Sequence, residues 1–355
     1  MKNCFGNLFQ FTTFGESHGR AIGVVIDNCP AGIEITREEI FSFLKKRSPG
    51  KAHTSPRREK DYPQIISGVF ENKTTGAPIC ILIENKDADS SKYHETKDLY
   101  KPGHANYTYL KKYGIFDYRG GGRASGRETA CRVAAAAVAK KLLEREKIEI
   151  HAYVKQIGNV RAESFCKKHF ENSPIFCGDK IAQEQMIALL STCKEEKDSI
   201  GGIVECKIQN CPIGLGEPVY EKLEANLAKA MLSIPAVKGF EIGSGFESCL
   251  KKGSENNDCY TTKEDNASLS SNNAGGILGG ISTGEEITFK VAFKPTSSIG
   301  KKQATVDLFG EKKEYILPRG SRHDPCIAIR GAIVVEAMAY LVIADAYLLH
   351  KIARV

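Results

Sequence analysis

An alanine-rich run at residues 130–143, ACRVAAAAVAKKLL, constrains the fold of this chain more than any other stretch. Residues 134–139 within it (AAAAVA) are apolar on every side of a helix. A helix that is hydrophobic all round is typically buried between neighbours, whereas a surface helix keeps one polar face. The run therefore predicts a central helix near residues 126–146, closely packed on two sides.

A glycine-rich stretch, YRGGGRASGRET at residues 118–129, leads directly into that helix. Backbone N–H groups at a helix start, with Arg123 and Arg127 beside them, form a good anion-binding site. Alternatively, the glycines serve only the turn, and Ser125 and Glu128 form a capping box. The stretch fits neither a Walker A loop nor the GxGxxG spacing of a Rossmann site. The two arginines favour an anionic ligand.

Capping and periodicity patterns predict the other elements. Thr36 and Glu39 form a second capping-box pattern. Pro218 is predicted to begin a helix through residue 231, and Asp324-Pro325 the last helical region. Apolar runs predict strands at 23–26, 77–84, 201–208 and 285–293.

Two segments resemble each other, GVVIDNCPAGI at 23–33 and GGIVECKIQNCPIG at 201–214. Each combines a predicted strand with an NCPxG turn, and each precedes a predicted helix. This similarity indicates an internal duplication.

Composition narrows the class of protein. A chain of 355 residues with 41% hydrophobic and 26% charged residues is typical of a soluble globular protein. The start, MKNCFGNLFQF, lacks the pattern of a secretory signal, and the most apolar segment, 331–349, carries Glu336 and Asp345. We therefore expect a cytoplasmic protein whose last helix is buried inside it. The twelve cysteines never form CxxC, so we expect reduced core residues and no metal centre.

Positive charge is concentrated at residues 45–60, KKRSPGKAHTSPRREK, which hold seven lysines and arginines and one carboxylate, Glu59. This is either a solvated basic loop or a cationic wall that attracts phosphorylated small molecules or nucleic acid. No aromatic residue interrupts the segment, which weakens the case for nucleic acid.

Two histidines and one serine are candidates for chemistry. GESHG at 15–19 matches the nucleophile elbow of a serine hydrolase, with Ser17 as nucleophile. An elbow requires a helix after it, yet the β-branched AIGVVID follows here. His18 and His104 are the better candidates, since imidazole transfers protons near neutral pH. Asp324 is either a helix cap or a member of the same site.

Two glycine- and hydroxyl-rich stretches suit a flat phosphorylated ligand. Residues 272–284, NNAGGILGGISTG, let backbone approach such a ligand closely, and 293–300, FKPTSSIG, place Lys294 beside three hydroxyls. The polar segment 253–276 is too long for an inert connection. It is either locally disordered or a lid over a site.

Eight motifs occur in the order typical of the chorismate synthase family: GESHG, PGHANYTY, YRGGGRASGRET, DSIGG, SIPAVKGFEIGSGF, NNAGGILGGIS, KPTSSI and RHDPC. The resemblance is to the bacterial type and runs from about residue 5 to the final helix. It implies an α+β fold, the β-α-β sandwich of that family, as a single domain over residues 1–355 with a mobile loop at 253–276.

The resemblance also implies a reaction. Members of the family eliminate phosphate from 5-enolpyruvylshikimate 3-phosphate by a 1,4-anti elimination to give chorismate. The reaction requires reduced FMN although no net redox change occurs, and the enzymes are commonly homotetramers. NADPH is then expected only for flavin reduction, and an external flavin reductase is the expected partner because the chain has no large insertion. A phosphorylated substrate explains the basic segment, so neither nucleic acid nor a membrane is expected as a partner.

Matching motif positions imply the site residues. His18 would protonate the departing phosphate, His104 would lie beside the flavin N1 and Asp324 would assist proton removal through the flavin N5. Arg47 and His53 would bind substrate or NADP phosphate, although the match at His53 is offset by about one residue. The implied flavin contacts are Arg123, Ala124, Ser125, Pro235, Ala236, Gly279, Lys294, Pro295, Thr296, Ser297, Ser298 and Arg322.

A few positions depart from the usual family pattern. Lys101 and Asn106 replace the arginine and aspartate of RPGHAD, and lysine lacks the bidentate fork of arginine. Pro235 stands where asparagine is common and has no N–H to donate. None of these changes removes a candidate catalytic group.

Overall fold

The computed structural model describes residues 3–48, 50, 53–54, 60–86, 90–263, 266–318 and 324–353. The helices are α1 (Arg37–Arg47), α2 (Asn106–Tyr113), α3 (Thr129–Glu144), α4 (Lys167–Asn172), α5 (Lys180–Glu195), α6 (Leu223–Leu232), α7 (Gly253–Asn256) and α8 (Ala328–His350). The strands are β1 (Cys4–Phe5), β2 (Gln10–Gly15), β3 (Ala21–Asp27), β4 (Pro63–Ser67), β5 (Val69–Phe70), β6 (Lys73–Thr74), β7 (Ile79–Glu84), β8 (Glu149–Ile157), β9 (Val160–Arg161), β10 (Gly202–Gln209), β11 (Val237–Ile242), β12 (Tyr260–Lys263), β13 (Asn266–Leu269), β14 (Ile277–Leu278), β15 (Ile281–Ser282), β16 (Ile287–Phe293), β17 (Gln303–Val306) and β18 (Lys312–Tyr315).

Two five-stranded antiparallel sheets form the outer layers. Their strand orders are β1-β2-β3-β7-β4 and β11-β16-β10-β8-β9. Helix α3 packs on the first sheet, α8 packs on the second, and the two helices pack on each other. Helices α1 and α6 pack beside α3 and α8 respectively. The result is the expected sandwich of two sheets around a helical layer.

The two halves of the sandwich have the same topology. Four strands of each sheet lie in the same spatial order: β2, β3, β7 and β4 in the first, and β8, β10, β16 and β11 in the second. Along the chain, α1 connects β3 to β4, and α6 lies at the equivalent place between β10 and β11. The NCPxG turns match in backbone as well. Asn28 and Asn210 both adopt left-handed φ values, 57° and 58°, and Cys29 and Cys211 are both buried. This agreement supports the internal duplication inferred from the sequence.

The two central helices are buried throughout most of their length. In α3, residues 134–139 are at most 5% exposed, because β3 covers one side and α8 the other. Helix α8 is long and apolar enough to cross a membrane, but 89% of its most apolar window is buried inside the protein. The prediction of a helix packed on two sides is confirmed for α3, and α8 is a core helix as expected.

Local patterns predicted the strands better than the helix starts. The four strand predictions correspond to β3, β7, β10 and β16, and Thr36 forms its capping box with Glu39. The Ser125–Glu128 box is wrong, because Glu128 instead accepts hydrogen bonds from Thr13 and Arg132. Short 3-10 turns occupy 122–128, so α3 begins at Thr129.

Two further helix starts are displaced along the chain. Pro218 lies five residues before α6, which begins at Leu223, so the prediction of a helix starting there is wrong. Helix α8 begins at Ala328, shortly after the Asp324-Pro325 pair.

The polar segment 253–276 contains secondary structure. It forms α7 and the β12–β13 hairpin, and residues 264 and 265 lie outside the described residues. Asp258 connects the two ends of the hairpin, because it accepts hydrogen bonds from Ser271 Oγ at 2.6 Å and from the backbone N–H groups of Asn273 and Ala274 at 2.7 and 2.9 Å. The residues of this segment that the structure describes do not line the cavity discussed below.

Candidate active site

A cavity of about 780 Å³ lies at one end of the helical layer. The first turns of α3 and α8, the final residues of α1 and α6, and the segment after β16 all reach its wall. It brings together most of the residues that the sequence singled out: His18, Arg47, His104, Arg123, Ala124, Ser125, Pro235, Ala236, Lys294, Pro295, Thr296, Ser297 and Ser298.

The wall of this cavity is strongly cationic. Among the described residues that line it there are six lysines and arginines and no carboxylate: Arg47, Lys101, Arg123, Arg132, Lys294 and Arg330. The helix starts of α3 and α8 add partial positive charge, because N-terminal N–H groups lack intrahelical partners. Phe116, Ile234 and Val334 supply apolar surface. Such a site suits a ligand with both a flat apolar part and several negative charges.

The glycine-rich stretch forms the turn at one side of the cavity. Arg123 ties this turn to β2, donating to the carbonyl oxygens of Thr13 and Gly15 at 3.0 and 3.2 Å and to Thr13 Oγ1 at 2.8 Å. Ser125 Oγ accepts from the N–H of Arg127 at 3.3 Å. The guanidinium of Arg123 therefore fixes the turn, and no described carboxylate neutralises its charge.

Arg127, in contrast, does not line the cavity. Its side chain is buried and points to Asp61, Asn85 and the carbonyl oxygen of Glu84. Of the two arginines that favoured an anionic ligand in the sequence, only Arg123 reaches the ligand space. Arg127 has a structural role behind the turn.

His18 lies in the turn between β2 and β3 and faces the cavity. Its Nδ1 is 3.1 Å from Ser17 Oγ, and its ring meets Tyr93 edge-on with centroids 5.1 Å apart. Gly120 packs directly on the imidazole, because a Cβ there would lie 2.3 Å from Nδ1. A nucleophile elbow needs a strand followed by a helix, but antiparallel β3 follows here. The hydrolase interpretation of Ser17 therefore fails on geometry.

His104 lies in the loop directly before α2, and its Nε2 is 3.1 Å from Ser298 Oγ. Lys294 Nζ holds the same loop by donating to Gly103 O at 3.1 Å and Ser297 Oγ at 2.8 Å. The ring is accessible from the cavity, yet the surrounding protein displaces much of its water. That loss of water, followed by the charges of Lys101 and Lys294, lowers the pKa of His104 from 6.5 to about 4. His104 is therefore neutral at pH 7 in the ligand-free protein.

Lys101 and Asn106 support the His104 loop. Asn106 Oδ1 accepts from the backbone N–H of Lys101 at 3.2 Å, and its Nδ2 donates to Leu99 O at 3.0 Å. The ammonium of Lys101 lies over the Tyr93 ring, 4.5 Å from the centroid, and burial lowers its pKa. An aspartate could not donate to Leu99, so the amide at position 106 closes the loop without adding a carboxylate to the cavity.

The other sequence candidates lie elsewhere. Asp324 is 6% exposed and sits behind the wall, where its Oδ2 accepts from Arg330 at 3.0 Å. Gly279 is in the tight turn between β14 and β15 and does not line the cavity, nor does His53. Arg322 lies outside the described residues.

Sequence reasoning missed Arg132 and Arg330, which also line the cavity. Arg132 pairs with Glu128 at 2.9 Å and donates to Ser233 Oγ at 2.7 Å, linking α3 to the end of α6. Both arginines lie in the first turns of central helices. A single arginine at the start of an otherwise apolar helix was the sequence signal that could have identified each of them.

One residue with strained backbone, and two buried polar atoms without a partner in the described part of the chain, lie in the cavity wall. Ala236 adopts a left-handed φ of 72°, and its carbonyl accepts from the Lys294 N–H at 3.0 Å. Among the described residues, Thr296 Oγ1 and Arg47 Nε are buried without a hydrogen-bond partner. Unpaired buried polar atoms and strained backbone are typical of ligand sites. The donors present therefore fit an anionic ligand.

Fold and site together define an enzyme that acts on a phosphorylated small molecule, built as a duplicated α+β sandwich around a cationic cavity with two histidines. The family model for chorismate synthase matches residues 9–348. The chain belongs to the chorismate synthase family.

Individual relatives agree along the whole chain. The chorismate synthase of Protochlamydia amoebophila is 54% identical over 362 residues, covering 99% of each chain. That of Archaeoglobus fulgidus is 51% identical over 352 residues, covering 98% of each. A crystal structure of chorismate synthase superposes with a TM-score of 0.77 at 31% identity, covering 98% of this chain and 94% of the other.

The reaction is accordingly that of a carbon–oxygen lyase. The enzyme converts 5-enolpyruvylshikimate 3-phosphate to chorismate by 1,4-anti elimination of phosphate. The family requires reduced flavin for this step, without net redox change.

Proposed function

We propose that reduced FMN and the phosphorylated substrate bind together in the 780 Å³ cavity. Ligand pockets are about 300–1,000 Å³, so this volume is suitable for two adjoining small molecules. When bound, the reduced flavin supplies transient electron donation that helps phosphate to leave. The observation that carries the proposal is the convergence of His18, His104 and the Arg123–Ser125 turn on one cationic space.

The two histidines have different tasks in this proposal. His18 donates a proton to the departing phosphate, and Ser17 at Nδ1 orients its ring for this. His104 lies beside the flavin ring. Loss of water, and then the charges of Lys101 and Lys294, lower the pKa of His104, so we expect it to take up a proton when a negatively charged ligand binds beside it. The cationic wall stabilises both the anionic flavin and the phosphate, most strongly when water is excluded.

Asp324 is assigned to proton removal, with Arg330 between it and the cavity. The carboxylate is 6% exposed and pairs with Arg330 at 3.0 Å, so direct proton transfer requires that contact to open. His53 does not line the cavity, so its proposed role as a second contact for substrate or NADP phosphate depends on the family resemblance alone.

The proposed flavin contacts are the Arg123–Ser125 turn, Pro235, Ala236 and residues 294–298, with Arg322 added by family resemblance. The turn position of Gly279 gives no support to a flavin contact within one chain.

Assembly and flavin supply complete the proposal. We expect a cytoplasmic protein from its composition and a homotetramer from the family resemblance. Several large apolar side chains are exposed, including Tyr220 and Phe309 at 88% and Leu250 at 81%, and they are available for contacts between copies. NADPH would serve only to reduce the flavin, through an external reductase.

The test is an anaerobic assay with chemically reduced FMN and substrate, in which phosphate and chorismate are followed together. His18→Ala and His104→Ala should each lower turnover by roughly a hundredfold, as expected for lost proton-transfer groups. His151→Ala is the matched control, since His151 pairs with Glu149 away from the cavity. NAD(P)H oxidation in proportion to product, or near-normal turnover of both cavity variants, would refute the proposal.

A further inference from the structure

Asp61 is a buried carboxylate to which the reaction assigns no task. It lies between α1 and β4 and is 1% exposed. Its Oδ2 accepts from Arg47 Nη2 at 2.7 Å, and its Oδ1 accepts from Arg127 Nη1. Burial alone would raise its pKa, but the two guanidinium groups outweigh burial and hold the pKa below its usual value. Asp61 is therefore ionised at neutral pH.

The two arginines bound to Asp61 use their other N–H groups differently. Arg127 donates from Nε to Asn85 Oδ1 at 2.8 Å and from Nη2 to Glu84 O at 3.2 Å. Those contacts hold Arg127 behind the glycine-rich turn, where it does not line the cavity.

Arg47 lines the cavity although it is only 2% exposed. Its Nη1 has long contacts, 3.4 Å to Gly126 O and 3.5 Å to Thr129 Oγ1. Its Nε has no partner among the described residues. Leaving a buried donor unpaired is unfavourable. A nearly buried guanidinium with unused donors at a cavity wall indicates a site for an anion.

We propose that Asp61 is a positioning residue, which holds Nη2 of the Arg47 guanidinium so that its remaining N–H groups stay available to the phosphate of the substrate. The inference rests on the proposed binding of that phosphate in the cavity. Asp61 contacts Arg47 through Oδ2 and Arg127 through Oδ1, so its contact with Arg47 is separate from its contact with Arg127. Arginine suits this task because its planar fork can pair with a carboxylate on one edge and an oxyanion on another.

The first variant is Asp61→Asn, which places an amide donor against one guanidinium. We expect the KM for substrate to rise at least tenfold while kcat changes less than threefold, because the lost contact acts equally on bound substrate and transition state. Arg127→Gln is the matched control. It removes the second guanidinium but keeps the Arg47–Asp61 pair, so KM should stay within threefold of the parent value.

A double variant separates positioning from stability. Removing one partner of a buried ion pair is strongly destabilising, so Asp61→Asn lowers the unfolding temperature. Asp61→Asn with Arg127→Gln restores the net charge of the cluster, and its unfolding temperature should exceed that of Asp61→Asn alone. Its substrate affinity should nevertheless remain at least tenfold weaker. Isothermal titration of the flavin-free enzyme with 5-enolpyruvylshikimate 3-phosphate measures this affinity without turnover.

A double-mutant cycle with Arg47 completes the test. Arg47→Lys keeps the charge but lacks Nε–H, and it should weaken substrate binding. If Asp61 acts through Arg47, adding Asp61→Asn to Arg47→Lys has little further effect on affinity.

Additive losses in this cycle, parent-like affinity in the double variant, or an equal rise of KM in Arg127→Gln would each overturn the proposal. A parent enzyme that neither binds substrate nor forms chorismate would instead refute the proposed function.

Discussion

The neutral state of His104 gives a quantitative prediction through Lys101. The pKa of His104 falls from 6.5 to about 4, a depression of about 2.5 pH units, in which loss of water is the largest cause and Lys101 the second. Lys101 therefore accounts for less than half of the depression. Lys101→Met fills the same space over Tyr93 without charge, and we expect the pKa of His104 to rise by about 0.5–1 pH unit.

Two-bond ¹H–¹⁵N spectra of histidine-labelled, flavin-free enzyme measure this pKa, with a His104→Gln sample for assignment. Lys101→Arg is the control because it retains the charge, and it should leave the pKa near 4. An unchanged pKa in Lys101→Met would show that the ammonium does not act on the imidazole. A return to 6.5 would show that loss of water contributes nothing, and either result refutes the reasoning.

Two further predictions concern packing and pH. Gly120→Ala should lower turnover at least tenfold in the anaerobic assay, because its Cβ would lie 2.3 Å from His18 Nδ1. The control is Gly126→Ala, whose Cβ would meet no atom within 4 Å, so its turnover should fall less. Equal losses of turnover in the two variants would contradict this prediction. Asp179 caps α5, and backbone N–H groups lower its pKa from 3.8 to about 2, so its stabilisation is complete above pH 4 and is lost as pH falls towards 2. Asp179→Ala should cost about 1 kcal/mol in urea unfolding at pH 7 and less at pH 3, and a pH-independent difference would contradict the assignment.

The sequence was most informative where a local pattern agrees with long-range packing. The four predicted strands have apolar alternation that the sheets bury, and Thr36 lies beside the Glu39 with which it forms a box. Alanines 134–137 signalled a helix packed on two sides because no other arrangement buries such a surface. In each case the residues that decide the structure lie close together in the chain.

Prediction failed where distant residues compete for the same group. Glu128 had the right spacing from Ser125 for a capping box, but Thr13 reaches it from β2 and Arg132 from the next helical turn. Likewise the sequence favours Arg127 as a contact for an anionic ligand, but its guanidinium instead donates to Asp61, sixty-six residues away in the chain. The local sequence shows the i,i+4 spacing of Glu128 and Arg132, but nothing in it identifies Thr13 or Asp61 as a partner.

The candidate site divides in the same way. His18, His104 and Ser125 were identified because they lie in glycine-rich turns, and binding and catalytic residues are disproportionately found on connecting segments. Arg132 and Arg330 were missed because each lies inside a helix whose remaining pattern is that of a core. Such arginines can be recognised as candidate ligand contacts only when the start of the helix is known to face a cavity.

The internal duplication explains why positive charge is concentrated at the cavity. Equivalent elements of the two halves meet there: the first turns of α3 and α8, and the final residues of α1 and α6. Because both central helices begin at the cavity, the partial positive charges of their N-termini add instead of cancelling. Each half also contributes an arginine from its central helix, Arg132 and Arg330, and each arginine is held by a carboxylate behind the wall. The concentration of positive charge at the cavity therefore follows from the fold, and His18 and His104 reach the same cavity from turns outside the central helices.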